Sequence, residues 1–180
     1  MNRQPLLQLL TNYLIENPQE TEIINRFKAF VSRYEDCFER SQLAGHVTGS
    51  AWVVNEAGTH VLLTHHKKLN KWFQLGGHAD GESNILKAAM IEVAEESGLE
   101  AFEPISEAIF DVDIHAIPAR GEEPEHFHYD VRFAVRATGS DEYSVSEESH
   151  DLSWVSIDNI EDYTQEASML RMARKWLPTG

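Results

Sequence analysis

The sequence predicts an α/β fold in which a mixed β-sheet lies between helices, preceded by an N-terminal helical hairpin. In the first 40 or so residues, apolar side chains recur at helical spacing. From His46 onward the pattern changes to short runs rich in β-branched and aromatic residues, which are typical of strands. One helical segment interrupts this strand-rich region and another closes it. Strands mixed with helices in this way favour a sheet covered by helices on its faces.

The N-terminal region, residues 1–45, is predicted to be a helical extension of a domain that spans residues 46–180. Two apolar stripes recur there at helical spacing, and their residues are Leu6, Leu10 and Tyr13, followed by Ile24, Phe27, Val31 and Tyr34. The segment 17–20 between them reads Asn-Pro-Gln-Glu and resembles an N-cap with proline at the first helical position. Such stripes favour packing against the rest of the protein. The hairpin also offers a surface for a homodimer.

Six extended segments are predicted after this hairpin. Their ranges are 46–54, 61–64, 72–75, 105–117, 126–137 and 152–155. The turn 55–58 makes the first two a hairpin, and the loop 118–122 separates the fourth from the fifth. A closing helix is predicted at 165–177, with inward-facing side chains at Leu170, Ala173 and Leu177.

Composition restricts the partners of the protein. The 180 residues include 15 basic and 30 acidic ones, which gives a net charge of −15. Such a surface repels phosphate backbones and anionic membranes, so we expect neither a nucleic-acid polymer nor a membrane as partner. The single cysteine, Cys37, excludes an internal disulfide and suits a reducing compartment. No apolar run approaches membrane-spanning length and the polar N-terminus lacks a signal-peptide core, so we expect a cytoplasmic location.

Three glutamates near the end of a predicted helix indicate a site for a divalent cation. Glu92, Glu95 and Glu96 stand at i, i+3 and i+4, so on a helix they share one face. Gly98 marks the helix end, which places two of the three acids where the helix dipole prefers cations. Like charges at this spacing cost roughly 0.2–0.5 kcal/mol, and a hard cation such as Mg²⁺ would reverse that cost. The alternative is a solvated acidic edge, but such a face usually includes basic partners, and Lys87 is poorly placed to be one.

The remaining faces of this helix are predicted to be packed. Leu86, Met90 and Val93 recur at i, i+4 and i+7 and form a core stripe. Ile91 and Ala94 lie on a further flank, away from the acids. A helix that is apolar around most of its circumference is packed on several sides. We therefore expect the three glutamates to face a cleft between protein layers rather than open solvent.

The segment 76–99 resembles the signature box of the Nudix hydrolases, G-x5-E-x7-R-E-U-x-E-E-x-G-U, where U is a bulky aliphatic residue. The residues that match it at the right spacing are Gly77, Glu92, Val93, Glu95, Glu96, Gly98 and Leu99. Two positions depart from the pattern. Ser83 stands in place of the first glutamate, and Glu82 or Asp80 in the same loop could approach a second ion instead. Ile91 stands in place of the arginine that normally orients the neighbouring glutamate.

This resemblance covers residues 46–158 and implies the Nudix fold, an α/β/α sandwich that agrees with the fold class predicted above. The ligands it implies for Mg²⁺ or Mn²⁺ are the carbonyl of Gly77 and the side chains of Glu92, Glu95 and Glu96. The implied reaction is hydrolysis of a phosphoanhydride bond in a small molecule, a nucleoside diphosphate linked to another group. Glu92 is the first choice for the base that takes a proton from water, and Glu148 or Glu147 is the second.

Histidines form a second candidate site. His126 and His128 alternate with Asp130 on a predicted strand, so all three share one face. Asp113 and His115 repeat this alternation on the preceding strand, and the five residues would line one patch if the strands pair as a hairpin. The patch could hold the phosphate or sugar of a substrate, or bind a transition metal through neutral imidazoles. The alternative is a hydrogen-bonded polar face of the sheet.

Further single side chains are candidates for substrate contact. Arg120 and Arg132 carry guanidinium groups that match phosphate oxygens, although each could equally pair with nearby acids. His78 follows the double glycine and could touch substrate or cap the loop. Glu148 belongs to an acidic loop where some Nudix enzymes place a base or a metal-binding glutamate. The alternative for that loop is a solvated acidic segment.

Two other classes of function stay open. The departures at Ser83 and Ile91 are compatible with a non-catalytic, Nudix-like nucleotide-binding module. An enzyme of the isopentenyl-diphosphate isomerase type would share the fold. Those isomerases use a catalytic cysteine and glutamate, whereas the lone Cys37 lies outside the predicted sheet region.

Overall fold

The computed structural model describes residues 2–67, 70–121, 124–145 and 149–177. Its helices are α1 Gln4–Glu16, α2 Thr21–Arg33, α3 Ile85–Ser97 and α4 Ala167–Trp176, with 3₁₀ turns at Pro18–Glu20 and Ile157–Asp162. Its strands are β1 Gly45–Val54, β2 His60–His66, β3 Lys71–Phe73, β4 Leu75–His78, β5 Phe102–Pro104, β6 Asp111–Ile117, β7 His126–Ala137 and β8 Ser149–Ser156. Within the described ranges, no helix has both the length and the apolar character needed to cross a membrane.

The strands of the described residues form one eight-stranded sheet. Its main path runs β3-β2-β1-β7-β5, with β4 beside β1, β6 beside β7 and β8 beside β2. Strand β2 is antiparallel to β1, β3 and β8, and β7 is antiparallel to β5 and β6. The predicted α/β class, with helices at the N-terminus, is confirmed.

Two of the predicted extended segments differ in the structure: one is divided and the other is shorter. The segment 72–75 contributes to β3 and to β4, because the chain changes its sheet partner at Gln74: β3 pairs with β2, whereas β4 pairs with β1. The segment 105–117 becomes strand only at β6. Residues 105–108 before it are exposed, so no buried face holds them in a strand.

The closing helix is confirmed, and so is the predicted burial of Ala173, but the rest of its buried face differs from the prediction. Met169, Met172 and Ala173 are the buried residues of α4, whereas Leu170 is only half-buried. The Trp176 indole N–H donates to the carbonyl of Gly58 at 2.8 Å and anchors the end of the helix. Met169 and Met172 thus occupy the buried face of α4, where the apolar pattern predicted leucines. Methionine is unbranched and adapts to irregular gaps in a core.

The chain folds into two compact units. Unit 1 comprises Met1–Ser50, Gly77–Ala89 and Glu107–Phe133, and unit 2 comprises Ala51–Gly76, Met90–Ser106 and Ala134–Gly180. The N-terminal helices therefore belong to the same unit as parts of several strands. The predicted boundary between residues 45 and 46 stays a prediction. The elements β1, β4, β7 and α3 each contribute residues to both units.

The core of unit 1 is built from the N-terminal helices and from strands. The Phe30 ring stacks on Tyr129 at 3.8 Å between ring centroids, and Phe27 meets the same tyrosine edge-on at 5.3 Å. Leu6 and Leu10 are fully buried in the same core. The predicted packing role of the hairpin stripes is therefore confirmed. In unit 2, one cluster of buried residues comprises Ala51, Val53, Leu62, Leu75, Val93, Leu99, Val135, Ala137 and Leu152.

The turn between α1 and α2 differs from the predicted N-cap. The side-chain amide of Asn17 donates to the carbonyl of Tyr13 at 3.0 Å, so it closes the end of α1 instead of starting α2. Pro18 does begin a helical turn, but that turn is the 3₁₀ helix Pro18–Glu20. The Tyr13 hydroxyl donates to the carboxylate of Glu20 at 2.9 Å and fastens this turn to α1.

Gly45 lies where β1 approaches the main chain of β7. Its φ is +143°, and a Cβ atom added there would lie 2.3 Å from the carbonyl oxygen of Phe127. We expect Gly45→Ala to lower the free energy of unfolding by roughly 2–4 kcal/mol, because positive φ and overpacking each destabilise. Urea denaturation followed by circular dichroism measures this loss.

Gly121→Ala is the matched control for Gly45→Ala. Gly121 also has a positive φ, +61°, but apart from Gly121 and its two chain neighbours no heavy atom of the described residues lies within 4 Å of its added Cβ. Only the conformational penalty of about 1–2 kcal/mol is then expected. Equal losses in the two variants would contradict the close approach of β1 to Phe127.

Candidate functional site

The three glutamates of the predicted metal site lie on α3, and the helix ends where the pattern predicted. Helix α3 runs to Ser97, and Gly98 follows with a φ of +63°. The backbone N–H of Gly98 donates to the carbonyl of Ala94, which is one of the last carbonyls of the helix. The carbonyl of Ser97 accepts a hydrogen bond from the backbone N–H of Ser144 at 2.8 Å. A glycine stop therefore places the acids in the last two turns, as predicted.

The three glutamates differ in exposure. Glu92 and Glu96 are half-buried and stand one turn apart, whereas Glu95 is exposed. One carboxylate oxygen of Glu96 accepts a hydrogen bond from the backbone N–H of Gly76 at 2.9 Å. This bond orients the Glu96 side chain toward the double glycine of β4. Glu92 and Glu96 thus form the shielded pair, and Glu95 lies on the solvent side of it.

Helix α3 is not packed on all the sides that the apolar pattern indicated. Ile91 is 44% exposed and Ala94 is also exposed, so the expectation that this flank is packed was wrong. The predicted core stripe is confirmed, since Val93 is fully buried and Leu86 and Met90 pack against buried clusters. The helix therefore buries one face only. The position of the missing arginine, Ile91, lies toward solvent.

The loop carboxylates that could have replaced the missing glutamate are paired with basic side chains. The Arg40 guanidinium binds both carboxylate oxygens of Asp80, one of them at 2.6 Å, and these hydrogen bonds lower the pKa of Asp80. Glu82 accepts a hydrogen bond from Lys87 at 2.6 Å, which lowers the pKa of Glu82. These pairings argue against the expectation that Asp80 or Glu82 approaches a second ion.

Arg132 is buried in an ion-pair cluster. Its guanidinium donates to Asp130 at 2.7 Å and to Asp111 at 3.1 Å, and it lies 3.5 Å from a carboxylate oxygen of Asp113. Burial alone would lower the pKa of Arg132, but these three carboxylates outweigh that effect and raise it. The sequence left two alternatives for Arg132, a phosphate ligand or a partner of nearby acids. The structure shows the pairing with acids. We therefore do not retain Arg132 among the candidate phosphate ligands.

The hydroxyl groups of β1 complete this cluster. Thr48 and Ser50 both donate to the same carboxylate oxygen of Asp130, at 2.9 and 2.8 Å. Asp130 is 2% exposed, and both of its carboxylate oxygens accept hydrogen bonds from buried donors. This part of the predicted histidine patch is therefore a structural network.

The strands β6 and β7 pair as the predicted hairpin. His115 lies opposite His128, and Asp113 lies opposite Asp130. The His128 ring centroid is 5.4 Å from that of His115 and 5.3 Å from that of His126. The patch that the alternation predicted is confirmed.

His46 is the member of the patch that sequence reasoning missed. It lies on β1 with an exposure of 1%, and its ring centroid is 4.9 Å from that of His78 and 4.7 Å from that of His128. The signal that could have found it is the alternation His46, Thr48, Ser50 on a strand that is otherwise apolar. A buried strand that presents three polar side chains on one face has polar partners there.

Burial and mutual proximity keep two of these imidazoles neutral. Burial, followed by the nearby His78 and His126, lowers the pKa of His46 to about 4. Burial, followed by His46 and His78, lowers the pKa of His128 to about 2. At neutral pH each ring therefore has one nitrogen with a lone pair available as an acceptor or ligand.

The remaining predicted site residues are placed as follows. His126 is 5% exposed, and its Nδ1 donates to the carbonyl of Pro124 at 2.9 Å. Arg120 is exposed in the loop between β6 and β7. Glu147 and Glu148 lie outside the described residues, so the roles predicted for them stay predictions.

Cys37 lacks the properties of a catalytic thiol. It is fully buried, and burial raises its pKa to about 11. A nucleophilic cysteine is accessible and has a lowered pKa. The isomerase alternative is therefore disfavoured by the surroundings of the cysteine as well as by its place in the sequence.

Replacement of Arg132 by methionine tests the ion-pair cluster. We expect Arg132→Met to lower the free energy of unfolding by about 3–5 kcal/mol, because the buried Asp111 and Asp130 and the half-buried Asp113 lose their cation. Chemical denaturation measures the loss. Arg136→Met on the same strand is the control, since Arg136 makes an exposed hydrogen bond to the carbonyl of Glu56. Similar losses in both variants would contradict the structural role of the cluster.

Thiol labelling tests the burial of Cys37. An aromatic disulfide reagent at pH 8 should leave the native protein unlabelled and should label one thiol per chain in urea, because the native thiol is inaccessible and protonated. Ser41→Cys adds a thiol at an exposed position and should react at once. Labelling of native Cys37 at the rate seen for that control would show that the burial is wrong.

The chain is similar to known proteins in sequence and in fold. The family model described as NUDIX domain matches residues 45–177, well over half of the chain. No curated protein matches this sequence. Among solved structures, a Caenorhabditis elegans Ap4A hydrolase in a binary complex is 18% identical, with a TM-score of 0.58, over 72% of this chain and 93% of that one.

Two further solved structures support the same fold. A MutT protein from Methanosarcina mazei Go1 is 19% identical, with a TM-score of 0.56, over 75% of this chain and 94% of that one. A NUDIX-family hydrolase from Clostridium perfringens is 24% identical, with a TM-score of 0.52, over 73% of this chain and 95% of that one. With the glutamates on α3 and the family match over most of the chain, this protein belongs to the NUDIX domain family.

Proposed function

We propose that this protein is a pyrophosphohydrolase that uses Mg²⁺ or Mn²⁺ to cleave a phosphoanhydride bond. The observation that carries this proposal is the half-buried pair Glu92 and Glu96 at the end of α3, with Glu96 oriented by the backbone N–H of Gly76. The substrate that we propose is a small molecule in which a nucleoside diphosphate is linked to another group. Membership of the NUDIX domain family supports this reaction class.

The side chains of α3 fit a hard divalent cation. Carboxylate oxygens are the ligands that Mg²⁺ and Mn²⁺ prefer. The last turn of α3 contains no basic residue, so a cation there meets both the carboxylates and the negative end of the helix dipole. We propose that Glu92, Glu95 and Glu96 hold the ion, with Glu95 on the solvent side of the other two.

The proposed reaction is attack by water on phosphorus, with cleavage of the bridging P–O bond. A divalent ion held by the glutamates would neutralise phosphate charge and make water more acidic. Glu92 is the proposed base that accepts the proton of the attacking water, and Glu148 is the second candidate. Arg120, exposed between β6 and β7, is the proposed guanidinium partner of a substrate phosphate. The net charge of −15 makes such cations necessary, because it repels an anionic substrate.

Glu96→Gln tests the proposed metal site. The substrate is first identified from nucleotide sugars, ADP-ribose, dinucleotides such as Ap4A, and nucleoside triphosphates, each with Mg²⁺ or Mn²⁺. We expect Glu96→Gln to lower kcat/KM at least about 10- to 100-fold, the loss typical of disturbing even an outer partner of a metal ligand. Phosphate-containing products are quantified by ion-exchange chromatography.

Glu100→Gln is the control for Glu96→Gln, because Glu100 is exposed just beyond the end of α3. It should keep the activity of the unaltered protein. Wild-type activity in Glu96→Gln on a verified substrate would rule out metal binding by α3 as the catalytic device.

A second candidate function, a non-catalytic nucleotide-binding module, is favoured by Ile91 at the arginine position. Ile91 is 44% exposed, so arginine fits there without disturbing the core. If the protein is a weak enzyme, Ile91→Arg should raise kcat, because a guanidinium beside Glu92 orients that carboxylate. Ala94→Arg, at another exposed position of α3, should have no such effect. Lack of hydrolysis by both the unaltered protein and Ile91→Arg, with nucleotide binding retained, would favour the binding module.

A further inference from the structure

The geometry points to a second metal site, in which His46, His78 and His128 together bind one divalent transition-metal ion of the Zn²⁺ type. All three residues belong to unit 1. Their donor atoms are imidazole nitrogens, whereas the glutamates of α3 offer carboxylate oxygens. This inference does not rest on the proposed function.

The three rings surround a common point. Each offers one ring nitrogen, and these nitrogens all lie within 4.8 Å of one another. The ring centroids are 4.7, 4.9 and 5.1 Å apart, so they form a nearly equilateral triangle. Zn–N bonds of about 2.0–2.1 Å in a tetrahedral site place two nitrogens about 3.4 Å apart. Small side-chain rotations would therefore bring all three nitrogens onto one ion.

His46 supplies independent evidence for a ligand at this point. Its side chain is 1% exposed, and neither Nδ1 nor Nε2 has a hydrogen-bond partner among the described residues. A buried imidazole is stable when at least one nitrogen is satisfied, and buried polar atoms without a partner are rare. A metal ion between the rings would bind one of these nitrogens and remove the deficit.

The nearby carboxylates do not provide this partner in the structure. Asp130 is held by Thr48, Ser50 and Arg132, and Asp80 is held by Arg40. The alternative interpretation of the predicted patch was a hydrogen-bonded polar face of the sheet. That interpretation describes the surroundings of Asp130. It leaves His46 unexplained.

The backbone holds the three ligands in place before any ion binds. His46 lies on β1, His78 ends β4 and His128 lies on β7, so each ligand comes from a regular strand. Ligands on rigid elements are positioned more precisely than ligands on loops. Three protein ligands leave a fourth tetrahedral position, which is typical of zinc sites that keep an open position for water. His126 lies at the edge of the site, with its ring centroid 5.0 Å from that of His46.

Zinc binding by the 180-residue chain without a histidine tag tests this inference. After treatment with a chelator, the protein is titrated with Zn²⁺ in competition with a chromophoric chelator, and Co²⁺ spectra report tetrahedral nitrogen coordination. We expect one tight Zn²⁺ site per chain that survives Glu92→Gln and Glu96→Gln. His46→Gln, His78→Gln and His128→Gln should each lower the Zn²⁺ affinity at least about tenfold, because each removes a direct ligand.

His60→Gln is the matched control, because His60 is a half-buried histidine on β2 whose Nδ1 lies 2.9 Å from the Thr59 hydroxyl. It should bind Zn²⁺ like the unaltered protein. If His46→Gln does not fold, as judged by circular dichroism, the half-buried His78 decides the question. Failure of the unaltered protein to bind Zn²⁺ at millimolar concentration, or unchanged affinity in the His78 and His128 variants, would overturn the site.

The outcomes of the two proposals are distinguishable. Loss of Mn²⁺-dependent hydrolysis with Zn²⁺ binding retained speaks only to the glutamates of α3. Loss of Zn²⁺ binding in the glutamate variants but not in the histidine variants would assign the ion to α3 and would contradict the histidine site. The heat-denaturation midpoint provides a further readout, since Zn²⁺ should raise it in the unaltered protein and not in His128→Gln.

Discussion

The buried ion-pair cluster of Arg132 is the interaction on which the organisation of unit 1 depends. A guanidinium that is 3% exposed is stable only among carboxylates, and those of Asp111, Asp113 and Asp130 come from the two strands β6 and β7. The cluster therefore requires the register in which Asp113 lies opposite Asp130. A shift by one residue would turn these side chains to the other face of the sheet. The same register places His128 on the face that meets β1.

Carboxylate and imidazole donor groups lie on different secondary-structure elements of this protein. Helix α3 presents oxygen ligands at a spacing of four residues, and its glycine stop holds them at the end of the helix dipole. Strands β1, β4 and β7 present nitrogen ligands at positions far apart in the chain. Hard cations prefer the first set and borderline transition metals prefer the second. Under the two proposals, the carboxylates would select Mg²⁺ or Mn²⁺ and the imidazoles would select an ion of the Zn²⁺ type.

Much of the fold and of α3 could be predicted because the signals are local. Gly98 ends the helix through its own backbone freedom, and the alternation from His126 to Asp130 places side chains on one face of a strand. Exposure could not be predicted in the same way. Ile91 and Ala94 are apolar but exposed, since no element of the described ranges buries that side of α3. Likewise, the leucine pattern of α4 misplaced the buried face, which Met169 occupies instead.

By itself, the sequence determined the positions and spacing of the glutamates, the glycine stop and the polar alternation of β7, because each depends on residues within a few positions of one another. Only the tertiary structure decided which partners distant residues find. It placed the Arg132 guanidinium beside buried carboxylates instead of in solvent, and it buried Cys37 in the core. It also brought His46 beside His78 and His128. Those contacts depend on strand pairing between distant segments, which no local pattern encodes.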